Sequence, residues 1–405
     1  MADENPRKDV VETQLQKSNL LDSYEISSLT LHFLVKELQD LVDSKLDQVY
    51  QERSKDKHDF LFRFHSAKLG KTFLRVIPNQ IIYFASHKFD APESPPGFCT
   101  YLRKKLKNAR VRSIRQLDFE RIVEFTFEVK QKEEIKTFFL VFELFGGGNV
   151  LLLDGEKIIL SAISYHTFKD RAIRPKNPYL FPKKEYDVLN MTVEDLNDCL
   201  KNSKKENLVK SLAIDLGFGG VYSEELCISA NLDKNCESKN ISKVKIKKLF
   251  ESLQKLLSSN LAPELIINTE KKNHKDIVPF KLQKYANFQS QSFKSLHEAF
   301  DFIFTTSKAT AHKETEKKVI KNKLSKLQVV VDKQTEHIVK LEKKEQEQQQ
   351  KGELVYENYQ LIDSILNQIK KARETLSWKE IKTKLKNHKI IKQVDEKKGE
   401  LVIEL

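Results

Sequence analysis

Apolar residues at Leu31, Leu34, Val35, Leu38, Leu41 and Val42 line one helical face within Ser27–Gln51, and Ser27 or Ser28 is placed to cap its start. The pattern then changes period. The runs "DFLFRFHS", "KTFLRVIPNQIIYFAS", "RIVEFTFEVKQ", "KTFFLVFELF", "NVLLLDG" and "KIILSAIS" are short, alternating and rich in β-branched and aromatic residues. They predict strands of a mostly antiparallel sheet or sandwich. Between them, "GFCTYLRKKLKNARVRSIRQL" predicts a basic helix and turn. Three prolines in Ile173–Asp187 close this first region. Helical segments follow from about Thr192 to Leu261, and another helical region begins at Glu298. A long polar helix is expected over about Thr310–Gln350, broken at Lys351–Gly352, then a second helix, a short helix and one or two strands. The fold class is therefore α+β. The expected divisions are an arm at 1–24, a β-rich domain at 25–185, a helical domain at 190–262, a connector at 263–307, a long helix at 308–351 and a partial domain at 352–405.

The stretch "ELFGGGNVLLLD" poses a choice between a phosphate-binding loop and a turn. A phosphate loop needs a helix after its glycines, to supply N–H groups and dipole, and here a strand pattern follows with no Lys-Ser/Thr pair. The stretch is expected to be a β-hairpin, with glycines providing positive φ.

Charge narrows the function. Lys and Arg number 71 against 58 Asp and Glu, a formal +13 over 405 residues, which favours an anionic partner and nucleic acid first. Cys99, Cys199, Cys227 and Cys236 form no CxxC pair and lie at no metal-ligand spacing from a histidine, so no metal and no cofactor are expected. No apolar run has transmembrane length and the first residues carry no signal-peptide core, so the expectation is a soluble cytoplasmic chain without a membrane partner. His32, His65, His87 and His166 are isolated, and no nucleophile–base–orienter set emerges. No enzyme is expected on this ground.

Several stretches together resemble the NFACT family. "FELFGGGNVLLLDGEKIIL" is similar to its hairpin signature, "LVKELQDLVDSKLDQVYQ" to its first helix, and "YLRKKLKNARVRSIRQLDFERIVEFTF" to its basic helix and following strand. "LAIDLGFGGVYSEELCISANLDKN" is similar to its helix-hairpin-helix segment, "SFKSLHEAFDFIF" to the start of its coiled coil, and "KGELVYENYQLIDSIL" to its middle region. The resemblance runs over about residues 27–405. It implies a first domain resembling that of formamidopyrimidine-type glycosylases, binding to large-subunit rRNA and peptidyl-tRNA on obstructed ribosomes, and, in many members, template-free extension of the stalled chain. The resemblance ties that extension to an Asp in the first helix and an Asp-Arg pair in the hairpin. The matching positions are Thr30, Gly146 and Gly147, followed by Gly148 and Asn149, so tail synthesis is in doubt.

For RNA binding the candidates are Arg103, Lys104, Lys105, Lys107, Arg110, Arg112 and Arg115, with Arg171, Arg174 and Lys176 on the proline-braced loop. Leu102 and Leu106 are expected to face inward. Gly217, Phe218 and Gly219, with Lys210 nearby, fit a helix-hairpin-helix that binds a phosphate without reading sequence, or an ordinary αα-turn. Ile320, Leu324, Leu327, Val331, Gln334, Ile338 and Leu341 form a heptad seam whose mate is missing from the sequence, from which either a second polypeptide supplying a return helix and the missing domain, or a truncated chain, is expected. A DNA-repair glycosylase is the alternative reading, discounted because "MADENP" lacks the N-terminal proline-glutamate such enzymes use. A fibronectin adhesin is improbable without a signal peptide or anchor.

Overall fold

A computed structural model describes residues 24–405 except 54–57, 89–91, 93, 132, 169–170, 183, 269–272, 387 and 396–397, and gives no side-chain account at 53, 273–274 and 306–323. The expected arm lies outside the described residues but for Tyr24, whose buried ring meets Phe300. The chain divides into two units, residues 1–311 and 312–405. Among the described residues no helix is long and apolar enough to cross a membrane.

The first unit is mixed α and β, built around a nine-stranded antiparallel sheet. Its strands are β1 (Lys45–Arg53), β2 (His58–Ser66), β3 (Gly70–Ile77), β4 (Ile81–Ala85), β5 (Arg110–Gln116), β6 (Ile122–Gln131), β7 (Glu134–Glu143), β8 (Asn149–Leu153) and β9 (Ile159–Ala162), in the order β4-β3-β2-β1-β5-β6-β7-β8-β9. β1 and β5 pair only at Lys45 and Arg110, so the sheet creases there and its halves face each other. Phe62 meets Phe142 edge-on at 5.5 Å and Phe64 stacks with Phe127 at 6.5 Å across that fold. Alternation along β2 and β6 is what points these rings to one side.

Helix α1 (Ser28–Leu38) is capped by Ser27, whose hydroxyl accepts the Thr30 N–H, and Leu31, Leu34, Val35 and Leu38 of its expected face are buried. Helix α2 (Gly97–Lys105) buries Leu102, and Leu106 after it, as expected. The basic stretch as a whole is not one helix and turn. After Ala109 it becomes β5, where Val111 and Ile114 are buried and Arg110, Arg112 and Arg115 are exposed. A register shift between Val111 and Ser113 interrupts the alternation that marks a strand.

After the ribbon β10 (His166–Thr167) and β11 (Ala172–Ile173) come helices α3 (Val193–Asn202), α4 (Leu208–Ile214), α5 (Gly219–Ser229) and α6 (Lys243–Leu257), then a three-stranded sheet of β12 (Glu264–Asn268), β13 (Asn273–Val278) and β14 (Gln289–Ser292) in the order β13-β12-β14. The Glu225 carboxylate on α5 accepts the Gln283 and Lys284 N–H groups, which ties this sheet to the helices. Helix α7 (Leu296–Glu357) begins in this unit, its first turns buried at Leu296, Ala299, Phe300 and Ile303. It runs on through Lys351–Gly352, where a break was expected, and ends before Asn358. A single glycine costs a 62-residue helix about 1 kcal/mol, too little to stop it.

The second unit contains α8 (Tyr359–Thr375), α9 (Trp378–Lys384), β15 (Ile391–Asp395) and β16 (Glu400–Ile403), around a small core of Ile365, Ile369, Ile391 and Val394 with Trp378 against it.

Candidate functional site: a polar cleft and a basic rim

The α4–α5 turn bends through Gly217 and Gly219, both at positive φ, with Phe218 buried between them against Phe119. Lys184 occupies the space a side chain at Gly217 would need. Its ammonium donates to the Phe119 and Leu216 carbonyls at 3.2 and 3.4 Å and pairs with Glu120 at 3.2 Å. The turn thereby approaches the start of α1, where the buried Thr30 hydroxyl accepts from Ser27 and hydrogen-bonds to the Tyr222 hydroxyl at 2.7 Å.

Between these parts lies a cleft of about 450 Å³, lined among others by Thr30, Glu120, Arg121, Lys184, Gly219 and Asp276. Arg121 is paired with Glu25 at 2.5 Å, so cations and carboxylates alternate along the wall. Both α1 and α5 begin here, adding partial positive charge.

Asp276 is pushed up to about 6 by burial, against the Tyr285 hydroxyl at 3.0 Å and the Ile277 N–H at 2.9 Å, which favour its charge. The folded chain therefore holds this proton more tightly than the unfolded one. The associated stability is complete below the unfolded pKa of about 3.9 and is lost as pH rises through about 6. Replacing Asp276 by Asn should remove this dependence. Urea unfolding from about pH 4 to pH 8 should show wild type losing about 2–3 kcal/mol relative to the variant. Parallel pH profiles would contradict it.

Sequence reasoning found Thr30 and the glycine turn of this cleft but missed Glu120, Arg121, Lys184 and Asp276. They come from distant segments, and none belongs to a motif by its neighbours.

The predicted basic residues divide by what holds them. Arg103 donates to the Val49 carbonyl at 2.7 Å and lies over Tyr50. Arg110 donates to the Asp43 carbonyl, Arg112 bridges Asp43 and Glu128, and Arg115 pairs at 2.6 Å with the fully buried Glu124. Arg171 is fixed to Glu143 at 2.7 Å, both nearly buried, and Lys210 pairs with Glu206, which precedes the N-cap of its helix. Lys104, Lys107, Arg174 and Lys176 are exposed and Lys105 half-exposed; among the described residues none of these five has an acidic partner at ion-pair distance.

The glycine stretch is a hairpin. β7 and β8 pair from Glu143–Asn149 outward, and Gly146 and Gly148 take positive φ. Asn149 is buried and structural: its amide donates to the Ser164 carbonyl, and its oxygen accepts from the Ser164 and Val150 N–H groups. Gly146 and Gly147 are exposed and do not line the cleft. Cys99, Cys199 and Cys227 are buried thiols, and among the described residues no group of three His, Cys, Asp or Glu is placed to hold a metal.

Residues 27–400 match the family model described as NFACT N-terminal and middle domains. The archaeal Rqc2 homolog aRqcH of Methanocaldococcus jannaschii is 30% identical over 397 residues, covering 94% of this chain and 58% of that protein. The ribosome quality control complex subunit NEMF homolog of Drosophila melanogaster is 24% identical over 89% of this chain and 40% of its own length. The chain thus spans little more than half of the first relative and less of the second. In fold it is similar to the fibrinogen binding protein from Staphylococcus aureus (TM-score 0.57, 17% identity, 68% of this chain and 97% of that one). It is also similar to the N-terminal part of the fibronectin/fibrinogen-binding protein from Streptococcus suis (TM-score 0.55, 21% identity, 69% and 99%).

Proposed function

This chain belongs to the NFACT family, and on that premise we propose that it acts in ribosome quality control, binding obstructed large ribosomal subunits through rRNA and peptidyl-tRNA. The match over residues 27–400 carries this reading, since relatives named as ribosome quality control factors align along most of the chain. The excess of 13 positive charges and the cations of the α2 rim at Lys104, Lys105 and Lys107 support it, because phosphate contacts need cations not already spent on carboxylates. On this reading the α4–α5 turn is a helix-hairpin-helix that meets one phosphate through its backbone N–H groups.

The cleft takes the tRNA. An acid and a guanidinium, Glu120 and Arg121, line it together with Thr30, whereas the hairpin offers only glycines. Both are paired in the free chain, with Lys184 and Glu25, and on this reading the partly exposed Arg121 exchanges Glu25 for the RNA, so Gly146 and Gly147 do not by themselves remove tail synthesis. Replacing Arg121 by Gln should weaken binding to subunits carrying peptidyl-tRNA by about 10- to 100-fold, the worth of a hydrogen bond to a charged group. Filter binding with an unchanged melting temperature checks this; undiminished affinity would remove Arg121 from the site.

The seam on α7 takes a partner helix in a coiled coil. Leu324, Leu327, Val331, Ile338 and Leu341 are each more than half exposed, a stripe that water disfavours. Sedimentation of the isolated chain should show self-association that Leu327→Lys with Ile338→Lys abolishes; a monomer at all concentrations contradicts the seam's role.

Cosedimentation with large subunits as salt is raised, beside a nicking assay on damaged duplex DNA, tests the whole reading. Salt-sensitive binding without nicking is expected. Nicking without ribosome binding would instead favour the glycosylase alternative, which the comparisons do not favour.

A further inference from the structure

Next to the β7–β8 hairpin, the ribbon β10–β11 holds aromatic rings out in water. Tyr165 is 51% exposed and Phe168 49%, and His166 between them is exposed as well. Scattered exposed rings are ordinary, but these three fall within four residues, and two of them, His166 and Phe168, pack together on a fixed base. The Arg171 guanidinium lies 5.0 Å from the Phe168 ring centre and 5.7 Å from that of Phe145, in the β7–β8 hairpin turn. Arg171 is itself held by Glu143, which also accepts the Tyr179 hydroxyl at 3.0 Å. Phe168 therefore rests on a cation that a nearly buried ion pair keeps in place. The His166 ring lies 5.9 Å from it. On the side of α2, Tyr101 lies near Tyr165. The Lys105 ammonium lies 5.7 Å from the Tyr101 ring centre.

We propose that this strip is a stacking platform for unpaired bases of RNA, with Tyr165 and Phe168 as its two principal rings. The inference rests on the RNA-binding reading above and deepens it, assigning to β10–β11 a contact with single-stranded nucleotides that the basic rim alone does not make. Every base has a π-face, and rings backed by cations bind single strands without reading their sequence. A duplex keeps its bases stacked inside and offers nothing for half-exposed rings to hold. The flanking cations at Lys104, Arg174 and Lys176 suit the phosphates of the same strand. An acidic peptide would use the cations but would leave the rings unexplained.

Fluorescence anisotropy of the full chain with a short labelled oligouridine, and with a duplex of equal length, tests this. The double variant Tyr165→Ala, Phe168→Ala should lose at least about tenfold in affinity for the single strand, since each stacked base is worth about fivefold or more. Its salt slope should stay that of wild type, because no phosphate contact is removed. Tyr165→Phe with Phe168→Tyr should bind as wild type does, and both variants should keep the wild-type melting temperature. Ultraviolet crosslinking of the oligouridine to the peptide containing Tyr165 would support the assignment. It is overturned if the alanine variant binds the single strand undiminished, if duplex binds as tightly and loses as much, or if only binding to an acidic peptide falls. Cosedimentation of the same proteins with large subunits keeps the two claims apart. Wild type that pellets while oligouridine binding is unaffected by the substitutions sinks the platform alone; wild type that never pellets sinks the ribosomal reading.

Discussion

Substituting Ala for Gly148 should destabilise the first unit by about 3 kcal/mol or more, while Ala at Gly147, one residue earlier, should cost no more than about 0.5 kcal/mol. The two glycines look equivalent in sequence, and their surroundings differ. A Cβ on Gly148 would lie 2.3 Å from the Asn79 nitrogen and 2.5 Å from the Pro78 carbonyl carbon, backbone atoms that cannot swing aside. Gly148 also has φ +68°, where any Cβ adds about 1–2 kcal/mol of strain. Around Gly147 there is nothing within 4 Å, and its φ is ordinary. Gly146 has open space but φ +59°, so Asn or Asp should be tolerated there better than Ala. Urea unfolding of the single variants measures all three. A Gly148→Ala variant as stable as wild type would mean that the hairpin tip does not rest on the β3–β4 turn.

A second large effect is expected from Asp59. The Arg75 guanidinium, buried beneath the first turns of α7, donates through Nε and Nη2 to the Asp59 carboxylate, with contacts from 2.5 to 3.1 Å, and through Nη1 to the Tyr83 hydroxyl at 2.9 Å. It also lies 6.0 Å from the Phe304 ring centre. Asp59→Ala would leave that cation buried without its main counter-charge, at a cost of about 3–5 kcal/mol. Replacing both partners, Asp59→Leu with Arg75→Met, should recover most of the loss, because burying two well-packed apolar side chains avoids desolvating two charges. Thermal unfolding of the single and double variants decides it. A double variant no better than Asp59→Ala would show that the Tyr83 bond, rather than the ion pair, holds this corner.

Much of the scaffold could be read from the chain. The face of α1 was visible in Leu31, Leu34, Val35 and Leu38, and the hairpin in two β-rich runs flanking three glycines, because both depend on local periodicity. β5 was missed because Arg110, Arg112 and Arg115 follow a basic helix without a polar break, and its alternation is interrupted at Ser113. The sheet β12–β14 was missed because Gln289–Ser292 has no apolar residue; it is a strand only because Glu264–Ile267 pairs with it. The cleft was the least legible part. Thr30, Glu120, Lys184 and Asp276 are far apart in the chain and line one cleft only once the sheet, α1 and the α4–α5 turn have packed together.

The basic segment shows a related limit. Ten cations were candidates for RNA, and density could not separate those fixed by Asp43, Glu124, Glu128 and Glu143 from those left to solvent. Where carboxylates stand opposite on neighbouring strands, a run of arginines serves the sheet first.

On the proposed function, the first unit recognises large subunits by the peptidyl-tRNA they retain. Equilibrium binding to vacant large subunits and to subunits carrying peptidyl-tRNA, at one physiological salt concentration, tests it most directly. The account predicts at least about tenfold tighter binding to the obstructed subunit, a preference that Arg121→Gln erases. Equal affinity for both, or a preference that survives loss of Arg121, would contradict it.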